Sequence, residues 1–262
     1  KTKNNFMKKL FFFLTILTFS IQAQYKIAGN LVPSEGYDTA ILYKIVGAKQ
    51  QYINNTKINN GRFYFDFKKD QRPGVYRINY DSKNNGYLDF LFNKEDVIFS
   101  FNPKDPENTK TFSQSKENQM YSKFINAITY VQYDVDSLQI AYLKNPSTKT
   151  AELYKKAAEN IRNVQNGFIE NSNGMLAQNF IIATDRFNRK TVAKNANEYL
   201  SGLRDHFFDN IDFKNKVLYN SAFLVDRISD YVFYMNYAED NLEQIKLHKK
   251  AATEIINKIE NI

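Results

Sequence analysis

The sequence contains no cysteine and no tryptophan among its 262 residues. Without cysteine the chain has no disulfide, no thiol nucleophile and no cysteine-ligated metal. Core packing must therefore stabilise the fold, and the 18 tyrosines and 22 phenylalanines are the largest side chains available for it.

Recognisable catalytic and nucleic-acid-binding patterns are also absent. The chain has no GxSxG, no GxxxxGK[ST] and no GxGxxG sequence. Lysine and arginine are scattered among aspartate and glutamate, whereas a protein that follows a phosphate backbone needs a concentrated basic face. We therefore expect no nucleic-acid partner and no cofactor.

Residues 7–23, from Met7 to Ala23, have the organisation of a secretory signal peptide. Lys8 and Lys9 precede an apolar run that ends in small residues. The run is shorter than the roughly 20 apolar residues that span a bilayer, which argues against the alternative of an uncleaved anchor. Cleavage after Ala23 predicts an exported protein of the periplasm or cell envelope, without a stable membrane span. Because no cysteine follows, a lipoprotein anchor is excluded.

Removing the four lysines of the leader, residues 1–23, from the formal net charge of +8 leaves only +4.

Residues 25–112 predict a β domain of short strands separated by turn residues. Arg62–Phe67 alternates so that Phe63, Phe65 and Phe67 share one face. Asn and Gly at 59–61 predict a tight hairpin turn before it, with residues 51–58 as the partner strand. Further strands are predicted to begin at 25–27 and 40–42 and to cover 75–80, 87–92 and 97–101. This spacing favours an antiparallel β-sandwich.

Residues 115–262 predict an all-α region, so the expected fold class is α+β. Pro103 and Pro106 end the strand pattern, and Met120, Phe124 and Ile128 then follow at helical spacing. Pro146 separates the next helix. Further helices are predicted at 175–187, 195–208 and 216–237, and from Asp240 onward, where Glu243 completes a capping box.

Two of these helices have a predicted buried face. In the helix after Pro146 the face is formed by Leu153, Ala157, Ile161, Val164 and Phe168. In the last helix it is formed by Ile245, Ala252, Ile255 and Ile259.

The candidate chemical residues do not form a recognisable constellation. His206, with Asp205 and Asp209 nearby, and His248 lack metal-ligand spacing, so we interpret both as solvated helix-face residues. Residues 134–137 (Asp-Val-Asp-Ser) only partly match a calcium loop, because the later Gly and closing Glu are missing. Residues 54–56 match the glycosylation sequon, a motif that recurs by chance. We expect no catalytic, cofactor-binding or metal-binding residue in this chain.

A series of motifs in the β half allows a family to be named. A strand containing Gly29 is followed by Asn60-Gly-Arg-Phe-Tyr-Phe65, by Pro73-Gly-Val-Tyr76, by a strand pair over 88–99 and by the segment 112–118. In this order the motifs resemble the β-rich domain of unknown function that opens many exported TlpA-like thioredoxin-family proteins of Bacteroidetes. Gln114 departs from the pattern, because the family usually has Gly there.

The helical half is similar to the region that follows this domain in the same family. The similarity lies in residues 207–213, Leu218, Ile228 and Tyr231. It implies that residues 115–262 lead toward a thioredoxin-like domain with a Cys-x-x-Cys pair, outside this sequence. None of that domain's redox residues has a counterpart here.

The resemblance implies a non-catalytic accessory or interaction region of an exported thiol–disulfide oxidoreductase-like protein. Its role would be to position or select partners for the thioredoxin-like domain. An alternative is a stand-alone envelope protein that binds a small ligand, glycan or peptide in an aromatic cleft between sheet and helices. A third alternative is a hydrolase whose catalytic carboxylates are not identified by any sequence motif.

Overall fold

The computed structural model describes residues 24–260, and the predicted signal peptide lies outside them. The predicted fold class is confirmed: an N-terminal β-sandwich of two four-stranded sheets is followed by a helical region. The strands are β1 Tyr25–Leu31, β2 Thr39–Val46, β3 Lys49–Lys57, β4 Arg62–Phe67, β5 Gly74–Asp81, β6 Gly86–Phe92, β7 Val97–Phe101 and β8 Thr111–Gln114.

The first sheet has the order β4-β1-β7-β8 and the second has the order β3-β2-β5-β6. All neighbouring strands are antiparallel except β1 and β7, which run parallel and make the first sheet mixed. The predicted turn at 84–86 joins β5 and β6 as a hairpin. Strand β8 was not predicted.

The predicted hairpin between residues 51–58 and β4 is wrong. Asn60 and Gly61 do adopt positive φ angles, of 49° and 78°, and form the tight turn. However, β3 pairs with β2 and β4 pairs with β1, so this turn carries the chain from one sheet to the other.

The apolar faces of the strands explain this pairing. In the register of β1 with β4, Ile27 lies opposite Phe65, and Gly29 lies opposite Phe63. Gly29 leaves the space that the Phe63 ring occupies, because a Cβ there would lie 2.2 Å from Phe63 Cζ. Strand β3 is polar and largely exposed, so it offers β4 no comparable face.

The sandwich core lies between the two sheets and is rich in aromatic rings. Phe63, Phe65 and Phe67 are all buried on one face, as predicted. Phe67 contacts Tyr76 and Phe92 with ring centroids 4.9 and 4.8 Å apart. Such ring pairs add about 1 kcal/mol each beyond the area they bury, which suits a core without disulfides.

The helical region begins with a short helix between β7 and β8 and continues to residue 260. The helices are α1 Pro106–Thr109, α2 Lys116–Lys144, α3 Thr148–Asn171, α4 Ala177–Ala183, α5 Ala196–Asp205, α6 Lys216–Tyr219, α7 Ala222–Ser229 and α8 Asn241–Glu260, with a π-helical turn at Asp230–Tyr234. The single helix predicted over 216–237 is thus divided into α6, α7 and the π-helical turn. The capping interaction predicted for the last helix is present, since Glu243 N donates to Asp240 Oδ1 at 2.9 Å.

The predicted buried face of α3 is displaced by one residue at Leu153 and Ala157, whereas Ile161 is buried as predicted. Leu153 is 44% exposed, whereas Tyr154 is 1% exposed and Ala158 is fully buried. The large apolar part of tyrosine packs against α2, and its hydroxyl donates to Arg189 O at 3.3 Å. On α8, Ile255 is buried as predicted, but Ile245 and Ile259 are exposed.

A second core joins the helices to the outer face of the second sheet. Ile45, Val75 and Leu91 from that sheet pack in one cluster with Phe180 and Leu224 from α4 and α7. Within residues 24–260, no helix is long and apolar enough to cross a membrane.

Candidate functional site

A groove, here called the junction groove, runs between the second sheet and the helices. Its central cavity of about 390 Å³ lies between β5, β6 and β8 on one side and α2, α4 and α7 on the other. A cavity of about 510 Å³ adjoins it at α1 and α2, and one of about 120 Å³ adjoins it at β2 and α7. Ser122 lines the two larger cavities, and Ser221 lines the central and the smallest one.

The walls of the central cavity are mostly apolar. Leu91 contributes from β6, Phe112 from β8, Tyr121 from α2, Phe180 from α4 and Phe223 from the first turn of α7. The Phe180 ring lies 5.7 Å from Tyr121 and 5.8 Å from Phe223, so the helical wall is a row of three aromatic rings. Burial raises the pKa of Tyr121 to about 12, so its hydroxyl is neutral at physiological pH.

Buried polar side chains at the start of α2 fix this wall to the sheet. Asn118 Oδ1 accepts from Leu91 N at 2.8 Å, and Asn118 Nδ2 donates to Leu91 O at 2.7 Å. The Glu117 carboxylate accepts from the backbone N–H groups of Leu176 and Ala177 at 3.0 and 2.8 Å. Residues on α2 thus hold both β6 and the beginning of α4, so the groove is largely pre-formed.

Arg77 and Asp89 form a paired polar group beside the groove. They face each other across β5 and β6, and the guanidinium binds the carboxylate through two hydrogen bonds of 2.6 and 2.7 Å. The guanidinium also stacks on the Tyr87 ring, 3.6 Å from its centroid. Burial alone would lower the pKa of Arg77, but the hydrogen bonds and charge of Asp89 outweigh it and raise the pKa.

Some charged side chains around the groove have a partner of opposite charge, and others do not. At the rim, Lys110 contacts Glu107. Asp226 lines the central and smallest cavities, and its carboxylate forms no hydrogen bond or ion pair within the described residues. Desolvation and the nearby charge of Asp230 raise its pKa. The groove therefore offers an apolar surface with a few polar contacts at its edge, an arrangement suited to binding.

Neither histidine lies in the groove. His206 Nδ1 lies 2.6 Å from Asp209 Oδ2, and its ring stacks on Phe187 with centroids 4.0 Å apart. His248 contacts Gln244 and packs edge-on to Phe233. No group of three or more histidine or acidic side chains that could hold a metal occurs in residues 24–260.

The partial calcium motif lies within the long helix α2 and not in a loop. Asp136 accepts hydrogen bonds from Gln132, Tyr199 and Arg186, so its carboxylate joins α2 to α5 and to the segment after α4. The sequon residues lie on β3, where Asn54 and Asn55 are exposed.

The groove residues were not identified from the sequence, although β5 and β6 contain a signal for them. In β5, Val75, Tyr76, Arg77 and Ile78 are all buried in succession, because this strand is covered on both faces. A run of buried residues in place of alternation indicates that something packs on the outer face. In the sequence, Arg77 and the tyrosines interrupt the apolar run and hide this signal.

Comparison of the chain with protein-family models, with curated proteins and with solved structures finds no match in any of the three. The candidate function therefore depends on the geometry of the groove and on the motifs in the sequence.

Proposed function

We propose that this chain is a non-catalytic recognition module of an exported thiol–disulfide oxidoreductase-like protein. The junction groove is the observation that supports a binding role, and the ordered motifs of the β half support the family. In this proposal the groove selects or positions an envelope protein for a thioredoxin-like domain.

The chemistry of the chain agrees with this division of labour. Disulfide exchange needs an accessible thiolate, and these 262 residues contain no cysteine. The central cavity of about 390 Å³ falls within the roughly 300–1,000 Å³ of small-molecule sites. With the adjoining cavity of about 510 Å³ it forms a channel that suits an extended peptide segment.

The family part of the proposal is tested by sequencing the gene beyond the codon for Ile262. We expect an open frame that encodes a Cys-x-x-Cys domain, and the longer protein should reduce a protein disulfide. A stop codon directly after Ile262 in an intact gene would contradict this part of the proposal and leave the binding role.

The binding role is tested by the substitution Ser122→Trp. Ser122 lines both larger cavities, so an indole there should fill the groove and weaken substrate binding. Because the chain has no tryptophan, the new indole is also a unique fluorescent reporter. In the longer protein we expect a higher KM for an envelope protein disulfide and an unchanged rate with a small disulfide. The control is Ser201→Trp, since Ser201 is exposed on α5. An equal effect of both substitutions would contradict a role of the groove.

A stand-alone binding protein for a small ligand, glycan or peptide is the second candidate. The row of Tyr121, Phe180 and Phe223 favours it, because aromatic faces bind sugar rings and apolar side chains. Screening sugars and peptides against the thermal stability of the wild type tests this candidate, and Ser122→Trp, in which the groove is filled, is the control that should not respond. Saturable binding together with a stop codon after Ile262 would support it.

A further inference from the structure

Four arginine side chains come close together in the helical half, away from the junction groove. Arg162 lies on α3, Arg186 and Arg189 follow α4, and Arg227 lies on α7. Burial raises the pKa of the Tyr154 hydroxyl, while the positive charges of Arg186, Arg189 and Arg162 act on it in the opposite direction. Three guanidinium groups are therefore near enough to Tyr154 for their charges to act on it, and Arg227 is near enough to Arg186 for their charges to interact.

These arginines have more donors than the surrounding protein can satisfy. Each has one buried guanidinium nitrogen without a hydrogen-bond partner: Arg162 Nη1, Arg186 Nε, Arg189 Nε and Arg227 Nε. Such atoms are few in native proteins, and each requires an explanation. Arg186 is paired with Asp136, and Arg189 is paired with Glu198. Within residues 24–260, the side chain of Arg162 forms no hydrogen bond and no ion pair.

Arg162 and Arg186 line a common cavity of about 180 Å³. Its wall also includes two carboxylates, but both have partners within the protein. Asp209 Oδ2 lies 2.6 Å from His206 Nδ1. Asp185 accepts from Asn210 Nδ2 at 3.3 Å. Of the charged side chains that line this cavity, only that of Arg162 has no hydrogen bond or ion pair within residues 24–260.

We propose that this cavity, here called the arginine cavity, binds a small oxyanionic group, either a carboxylate or a phosphate. A guanidinium has only donors, so its partner must supply acceptor oxygens. Its planar fork matches carboxylate and phosphate geometry. The volume is below that of typical small-molecule pockets, which limits the ligand to one such group with little attached to it. This inference is independent of the junction groove and of the proposed family.

The experiment titrates the full chain with sodium phosphate and, separately, with sodium acetate at constant ionic strength. Binding is followed through the Nε–Hε signals of the arginines in nitrogen–proton NMR spectra. We expect one of the salts to shift the Arg162 and Arg186 signals saturably. Phosphate alone would identify a phosphate site, and acetate alone would identify a carboxylate site.

The substitution Arg162→Met removes the guanidinium and keeps the length of the side chain. We expect it to weaken binding by about tenfold or more, as for other hydrogen bonds to charged groups. Arg62→Met is the matched control, because Arg62 is exposed on β4, and it should leave binding unchanged. If Arg162→Met does not fold, Arg162→Lys replaces it in the binding test, because lysine keeps the positive charge and lacks the planar guanidinium fork.

Three results would overturn the proposal. The first is no saturable shift with either salt, which would mean that water alone satisfies the donors. The second is an equal loss of binding in Arg62→Met. The third is unchanged binding in the variant of Arg162 that folds.

Discussion

Glu117 illustrates how a single buried side chain organises the contact between elements. Glu117 is 3% exposed, and its carboxylate accepts from Asn93 Nδ2 at 2.6 Å as well as from two backbone N–H groups at the beginning of α4. A carboxylate at this position also interacts favourably with the helix dipole. The sequence indicates a polar residue near the start of α2, but it does not show that α4 ends up beside it.

We expect Glu117→Ala to lower the free energy of unfolding by about 3 kcal/mol, because three donors lose a charged acceptor. Urea denaturation measures the change. Glu152→Ala, at an exposed position of α3, is the matched control and should change stability by less than about 0.5 kcal/mol. Similar values for the two variants would contradict the capping role of Glu117.

Tyr121 couples the stability of the protein to alkaline pH. Its pKa of about 12 in the folded chain lies above the ordinary tyrosine value of 10.0. Its contribution to stability is therefore fully present below the unfolded pKa and is lost as the pH rises toward the folded one. Wild type should lose about 1 kcal/mol more stability between about pH 9 and about pH 11 than Tyr121→Phe does.

Urea unfolding at the two pH values tests this difference. Tyr130→Phe, at a tyrosine that is 72% exposed, is the control and should behave like wild type. If Tyr121→Phe kept the full pH dependence, the loss would have to be assigned to other groups.

At the scale of elements, the sequence predicts local structure well and pairing poorly. The alternation in Arg62–Phe67 and the turn residues 59–61 are local properties, and both appear in the structure. The partner of β4 depends on which distant strand has a complementary face, and β1 has that face through Ile27 and Gly29. Strand β8 was missed because Thr111–Gln114 has one large apolar residue and no alternation to report.

The displaced face of α3 shows the same limit within a helix. Leucine suggests burial more strongly than tyrosine does, yet the hydroxyl of Tyr154 finds an acceptor while its ring is covered. The predicted face is therefore wrong at Leu153 but right at Ile161, which is buried.

We expect Tyr154→Ala to destabilise the protein by about 3–5 kcal/mol, the usual cost of removing a large buried ring. Leu153→Ala should cost less than about 1 kcal/mol, because that side chain is 44% exposed. Chemical denaturation of both variants is the measurement. A larger loss of stability for Leu153→Ala than for Tyr154→Ala would support the buried face predicted from the sequence instead.

At the scale of the whole molecule, the helices complete the sandwich. The second sheet exposes Ile45, Val75 and Leu91 on its outer face, and the helices cover them. Sequence reasoning anticipated a cleft between sheet and helices but not its residues. They come from seven elements, and only the packing of the two halves brings them together.

We therefore expect Val75→Asp to destabilise both halves together, because a charge would be buried between sheet and helices without a partner. Hydrogen exchange followed by mass spectrometry should show faster exchange in the first sheet and in α4 alike. The control, Val46→Asp, places the same charge at a position that is 44% exposed and should leave exchange unchanged. Faster exchange confined to the helices would show that the halves unfold independently.

The parallel pairing of β1 with β7 has a consequence for the order of events during synthesis. Lys26 N donates to Asp96 Oδ1 across 70 residues of chain, and β1 lies between β4 and β7. Ribosomes add roughly 5–20 residues per second, so β1 waits for seconds before its second neighbour exists. Contacts between such distant segments also slow folding itself. During that interval β1 has one edge unpaired, and a factor that binds extended chains can reach it before the sandwich closes.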